Sequence, residues 1–141
     1  GKLLVCERSR QKGAWQFPQG GIDPGETATE AVKREVREEV GFLPSQYDVV
    51  ESRGGYRYDY PPEVLEYVRE KRQQPFVGQE QEYFLCRLRA DAPEPSLDHR
   101  EFCAYRWIAP VGFRLEWLPE FKKEVYARGL ADFFNVRARD K

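Results

Sequence analysis

The chain has 141 residues, 40% hydrophobic and 33% charged, with a formal net charge of -1. That balance suits one compact domain over residues 1–141 and excludes a disordered chain or a protein that grips long nucleic acid by bulk charge alone. No apolar run nears the roughly 18 residues of a membrane span. Three scattered cysteines (Cys6, Cys86, Cys103) and one histidine (His99) exclude zinc and multi-histidine chemistry, and the cysteines point to a reducing cytoplasm.

Lys2 to Glu7 is short and apolar-rich and predicts a strand, followed by a polar turn over Ser9 to Gly13. Trp15 to Gly25 holds closely spaced glycines and prolines and predicts a tightly shaped irregular loop. Thr27 to Val40 is the clearest helix. Thr27 and Glu30 have capping-box spacing, Gly41 stops the helix, and Pro44 bars its continuation. Tyr47 to Tyr58 has strand character, broken by Gly54 and Gly55; Tyr60 to Arg72 reads as a loop with a short helix. Gln79 to Arg89 and Phe102 to Ile108 predict two more strands, separated by a proline-bearing loop. Pro119 to Phe134 has the apolar spacing of a terminal amphipathic helix, and residues 135–141 read as a charged, frayed tail. Interleaved strands and helices without a strict alternation suggest a mixed sheet covered by helices.

The predicted central helix carries Glu35, Glu38 and Glu39. Positions i, i+3 and i+4 share one helical face. Ala28, Val32 and Val36 form an adjacent apolar stripe expected to pack on the sheet. Like charges at Glu35 and Glu39 cost about 0.2–0.5 kcal/mol when exposed. Burial raises the cost. Arg34 and Arg37 offset part of it, and a divalent cation would offset more. Clustered oxygen ligands without nearby sulfur or imidazole favour Mg²⁺ or Mn²⁺. Without its surroundings, such an acidic face reads simply as a solvated surface.

The surroundings are Gly20, then Glu26, then Arg34-Glu35-Val36-Arg37-Glu38-Glu39-Val40-Gly41-Phe42. This resembles the Nudix signature with every fixed position filled, over 23 residues. The resemblance implies an α/β fold, an α/β/α sandwich with a mixed β-sheet, and a metal-dependent hydrolase of phosphoanhydride bonds. Glu35, Glu38 and Glu39, with the Gly20 carbonyl, would bind the metal. Glu26 would pair with Arg34 to hold the loop against the helix, and Gly41 is a structural position. Glu39 is the favoured helper in deprotonating water, with Glu38 the other catalytic glutamate.

Trp15 to Gly21, Tyr58 to Pro62, Gly78 to Leu85, Glu101-Phe102 with Arg106-Trp107, and Phe121 to Tyr126 resemble segments of RNA pyrophosphohydrolases and diadenosine tetraphosphate hydrolases. The likeness implies Glu101 as a further carboxylate at the metals, as ligand or base, and Phe121 as a base-stacking residue. Arg8 and Lys122 would meet phosphate charge; Gln19, Tyr58, Gln79 and Tyr83 are further substrate-binding candidates. Trp15 is expected to pack beside the site. The expected partner is a nucleotide polyphosphate or an RNA 5′ end, with no membrane and an open oligomeric state. Family members carry a strand before Gly1-Lys2-Leu3-Leu4, expected to be missing here. Three readings follow: an RNA 5′-pyrophosphohydrolase leaving a 5′-monophosphate, an asymmetric dinucleoside tetraphosphate hydrolase, and a non-catalytic nucleotide-binding module. An intact signature argues against the third.

Overall fold

In the computed structural model, residues 1–19, 21–71 and 77–140 are described. Among the described residues, five strands, β1 (Leu3–Arg8), β2 (Trp15–Gln16), β3 (Tyr47–Asp59), β4 (Gly78–Leu88) and β5 (Phe102–Ile108), are interspersed with three α-helices, α1 (Ala28–Val40), α2 (Pro62–Lys71) and α3 (Glu120–Phe134). The α/β class expected from the sequence is present. The sheet arrangement differs from the single mixed sheet expected. Among the described residues, β2-β1-β5 form one antiparallel group and β3-β4 another. What joins them is side-chain packing: Val5 of β1 and Tyr56 and Tyr58 of β3 share one core with Leu130 of α3.

β1 explains how the layers stack. Side chains alternate across a strand, so its two fully buried residues serve different cores. Val5 joins Trp15, Phe113, Val125, Tyr126 and Leu130. Cys6 joins Val40, Phe42, Tyr47 and Phe102. The end of α1 thus covers one face of β1 and α3 the other.

Local rules account for most boundaries. Thr27 caps α1 by accepting from the Glu30 amide at 3.1 Å, while the Glu30 carboxylate accepts from the Thr27 amide at 2.9 Å. Gly41 closes the helix in the left-handed region at φ 78°, which glycine adopts without steric cost. Gly54 and Gly55 do not break β3. They form a bulge between Arg53 and Tyr56, and the ladder resumes at Tyr56 opposite Gln81. The loop expected from Trp15 begins with two strand residues, because Cys6 and Glu7 of β1 pair with Gln16 and Trp15.

Two residues of the expected charged tail, Arg139 and Asp140, make contacts. Leu115 donates its amide to the Arg139 carbonyl at 2.8 Å, and Lys123 pairs with Asp140 at 2.9 Å. Charge composition suggested a solvated end, but the backbone found a partner beside α3. The expected stripe on α1 is also shifted. Ala28, Val32 and Val36 are only partly buried, whereas Ala31, Glu39 and Val40 are buried. No helix among the described residues is long and apolar enough to cross a membrane.

Candidate active site

The rotational setting of α1 decides the chemistry. Ala31, Glu35 and Glu39 follow one another at i+4 and lie in one row. That row faces inward, so of the signature glutamates Glu35, Glu38 and Glu39 it is Glu35 and Glu39 that turn toward the protein. Both ends of the helix hold this setting. Thr27 fixes the first turn, and at the other end the Ser96 amide donates to the Val40 carbonyl at 2.9 Å.

The three glutamates are therefore not equivalent. Glu39 is 5% exposed, and its Oε2 has no hydrogen-bond partner. Its pKa is raised to about 9, first by burial, then by its contact with Glu35 and by the charges of Glu35, Glu101 and Asp98. Glu35 is half-buried and accepts from Arg34 Nη1 at 2.7 Å. Glu38 is 58% exposed and accepts from the same nitrogen at 3.2 Å.

Arg34 is the hub of the motif. Its Nε and Nη2 donate to the two Glu26 oxygens at 2.8 and 3.0 Å, and Nη2 also donates to the Gly21 carbonyl at 2.8 Å. A planar fork suits such two-point carboxylate binding. The Glu26 carboxyl is held below the usual range by this bond and by the Asp23 amide, which donates at 2.9 Å. The loop before α1 is thereby fastened to the helix. Gly20, the expected carbonyl ligand, lies outside the described residues.

A second strand-loop unit meets α1. The Asp98 side chain accepts from the amides of Arg100 and Glu101 at 3.0 and 3.1 Å, with His99 between them at φ 61°. This Asx turn presents Glu101, whose carbonyl accepts from the Ser9 amide at 2.9 Å. Opposite it, β1 bulges between Glu7 and Arg8, so Arg8 pairs with Phe102. Lys122, from the first turn of α3, completes the group. Its pKa is lowered by burial and by Arg8, and Glu101 partly opposes the shift. Two cations thus repel across a partly buried space beside the carboxylates.

Other candidates pack rather than project. The Tyr58 hydroxyl donates to Gln79 Oε1 at 2.9 Å, and burial pushes the Tyr58 pKa to about 12. Phe121 rests against Tyr58 and Tyr60, at centroid distances of 5.4 and 6.2 Å. Tyr83 stacks on Tyr56 at 4.3 Å and keeps a buried, unpartnered hydroxyl. Gln19 is partly exposed at the mouth of the loop. Trp15 is buried, with the Arg106 guanidinium 4.2 Å from its ring centroid. Phe17 stacks on Tyr126 at 4.5 Å, and the Phe17 amide donates to that tyrosine's hydroxyl at 3.3 Å.

Sequence reasoning missed Asp98 and Cys6. Asp98 carries a local signal, an Asp three residues before Glu101 in a turn-forming stretch. Cys6 carries none: it lies beneath Glu39, and burial together with that carboxylate pushes its thiol to about 12.

Among the described residues, no three acidic, histidine or cysteine side chains are arranged as ready metal ligands. The donor set nevertheless fits a hard cation. An orphaned buried carboxylate oxygen faces Glu35, Glu101 and Asp98, a concentration of negative charge that a divalent ion would neutralise. Arg34 meanwhile neutralises Glu35 and Glu38 from the side.

The acidic inner row of α1, the fastened loop before it and the Asp98–Glu101 turn thus meet at one place, with Lys122 and Arg8 beside Glu101. The NUDIX domain matches residues 1–129, and the chain belongs to that family. An RNA pyrophosphohydrolase of Stenotrophomonas maltophilia (strain K279a) is 39% identical over 134 residues, 92% of this chain. The chain spans 63% of that relative's length. A second RNA pyrophosphohydrolase, from Francisella tularensis subsp. mediasiatica, is 36% identical over 129 residues, covering 88% of this chain and 79% of its own. In fold, the chain is similar to the E. coli dihydroneopterin triphosphate pyrophosphohydrolase, at TM-score 0.69 and 18% identity, over 94% of this chain and 84% of that one. It is also similar to a C. elegans Ap4A hydrolase complex, at TM-score 0.59 and 20% identity, over 95% and 87%.

Proposed function

We propose that the chain is a Nudix pyrophosphohydrolase acting on RNA 5′ ends, converting a 5′-triphosphate to a monophosphate. The observation that carries this reading is the unpartnered Glu39 Oε2, set among Glu35, Asp98 and Glu101, with Lys122 and Arg8 on the far side of Glu101's charge. Named relatives at 36–39% identity support the RNA end as substrate. The work is placed in the cytoplasm, which suits three free cysteines, and residues 1–141 are taken as a single domain.

Glu35, Glu38, Glu39 and Glu101, with the Gly20 carbonyl, would hold Mg²⁺ or Mn²⁺. When bound, the cation supplies charge withdrawal from phosphate oxygens and acidifies water. Arg8 and Lys122 bind the polyphosphate through charge-assisted hydrogen bonds. Glu39, ionised once the site is loaded, would accept a proton as the water oxygen attacks phosphorus. The bridging P–O bond breaks, and pyrophosphate leaves with its electron pair. Glu26 and Arg34 keep the loop in register with the helix. Phe121, packed beside Tyr58 and Tyr60, would stack on a base, and Gln19 would meet the substrate from the loop. Tyr58, with its partner Gln79, holds Phe121 in place, while Tyr83 stacks on Tyr56 deeper in the core.

The test compares hydrolysis of a 5′-triphosphorylated oligoribonucleotide with that of diadenosine tetraphosphate under Mg²⁺. Faster turnover of the RNA is expected, with the 5′-monophosphate RNA as product. Faster turnover of the tetraphosphate would replace the RNA reading. Preference for free nucleoside triphosphates would overturn both.

A further inference from the structure

A group of cations outside the catalytic cluster has no assigned use. Arg10 and Lys12 are exposed on the β1–β2 turn, and Arg100 is exposed on the Asx turn before β5. Two hydrogen bonds tie these turns together: the Ser9 amide to the Glu101 carbonyl at 2.9 Å, and the Ser9 hydroxyl to the His99 carbonyl at 3.3 Å. Arg10 and Arg100 thus lie two residues from Arg8 and one from Glu101, on turns held together through Ser9.

These cations are unpaired among the described residues. The acid nearest Arg10 and Lys12 in sequence, Glu7, is engaged with the Gly13 amide at 2.8 Å and the Cys103 thiol at 3.7 Å, and Arg100 forms no ion pair with its neighbour Glu101 among the described residues. The Asp98 carboxylate is taken up by backbone amides. Residues 8–13 contain Arg8, Arg10 and Lys12 and no acid, in a chain of net charge -1. A local excess of positive charge on an overall acidic protein is a directed field rather than a general one.

We propose that the Arg10–Lys12–Arg100 rim is a track for the RNA backbone beyond the nucleotides held in the cleft. The inference rests on the RNA 5′-end reading and adds that the enzyme senses the strand behind the end. Once the terminal phosphates sit against Arg8 and Lys122, the following phosphates pass over the joined turns. The contacts are to phosphate and carry no base preference. A dinucleotide or dinucleoside polyphosphate does not reach the rim.

The test measures kcat and KM for two 5′-triphosphorylated RNAs, a dinucleotide and one about ten nucleotides longer, across a salt series. Each phosphate contact to a single strand contributes a slope of about 0.7 in log affinity against log salt, so three contribute about 2. Over a threefold rise in salt, that is about tenfold in KM. The Arg10→Gln/Lys12→Gln/Arg100→Gln variant is expected to lose that tenfold on the longer RNA and none on the dinucleotide. Reversed cations, Arg10→Lys/Lys12→Arg/Arg100→Lys, should restore it. Equal KM changes on both lengths, or no length dependence in the wild type, would overturn the track and leave the RNA-end activity standing. Turnover of diadenosine tetraphosphate with neither RNA cleaved would remove both.

Discussion

Glu39→Gln in chelator probes the buried carboxylate without the complication of a bound cation. The folded-state pKa of Glu39 is raised from 4.5 to about 9. Between those values the native state binds a proton that the unfolded state has released, so metal-free stability falls as pH rises. One proton sets a ceiling of about 1.4 kcal/mol per pH unit, or about 2.7 kcal/mol from pH 6 to pH 8. Solvent near the cleft and sharing of charge with Glu35 reduce this to about half, roughly 1.3 kcal/mol. A domain of this length unfolds with an entropy of about 0.3 kcal/mol per kelvin, so the wild-type Tm should fall about 4 °C more than that of the variant over the same pH step. Thermal melts in EDTA at the two pH values read the difference. The buried amide of Gln carries its own cost, so the slope is diagnostic and the offset is not. Mg²⁺ should flatten the wild-type slope and leave the variant unchanged. Parallel pH profiles for the two proteins in EDTA would refute the argument that this side chain is buried among like charges.

Thr27→Ala removes one side of the capping box and should cost about 1 kcal/mol, seen as a Tm lower by about 3 °C. At Gly41, an added Cβ would lie 2.8 Å from the Ser96 Cβ and 2.9 Å from the Ser96 carbonyl, at φ 78°. Gly41→Ala should therefore lose about 2–3 kcal/mol in urea unfolding. Arg34→Lys keeps the charge but loses the fork that reaches Glu26, Glu35 and Gly21. Its Mn²⁺ affinity, followed by electron paramagnetic resonance, should drop about 10- to 100-fold. Lys122→Met should raise KM for triphosphorylated RNA while leaving Mn²⁺ affinity unchanged; an unaltered KM would remove Lys122 from the phosphate contacts.

The parts of the site that could be read from the sequence are those set by local geometry. The capping box at Thr27, the left-handed stop at Gly41 and the shared row of Glu35 and Glu39 follow from spacing alone. The Glu26–Arg34 pairing came with the family resemblance. How far α1 is rolled relative to the sheet did not follow from spacing, because that depends on tertiary packing. An apolar stripe at Ala28, Val32 and Val36 suggested one roll, and the buried row through Ala31 and Glu39 shows another. Tyr58 and Gln79 were legible as polar groups near the cleft but not as partners of each other. Their pairing depends on the register of β3 against β4, which places Tyr58 opposite Gln79. The Leu115–Arg139 bond was not legible from composition, because charge says nothing about a free carbonyl that Leu115 can meet.

Pinning α1 at both ends makes its length inflexible. One residue inserted between Thr27 and Gly41 would turn everything beyond it by about 100°, carrying the Glu39 carboxylate out of the interior and wheeling a neighbour in. No compensating stretch is available, since Ser96 closes on Gly41 from outside. The exposed Pro93–Glu94 step, between the Ala92 turn and buried Pro95, has no such restraint. Insertions and deletions should accumulate there among functional variants and be absent from the helix.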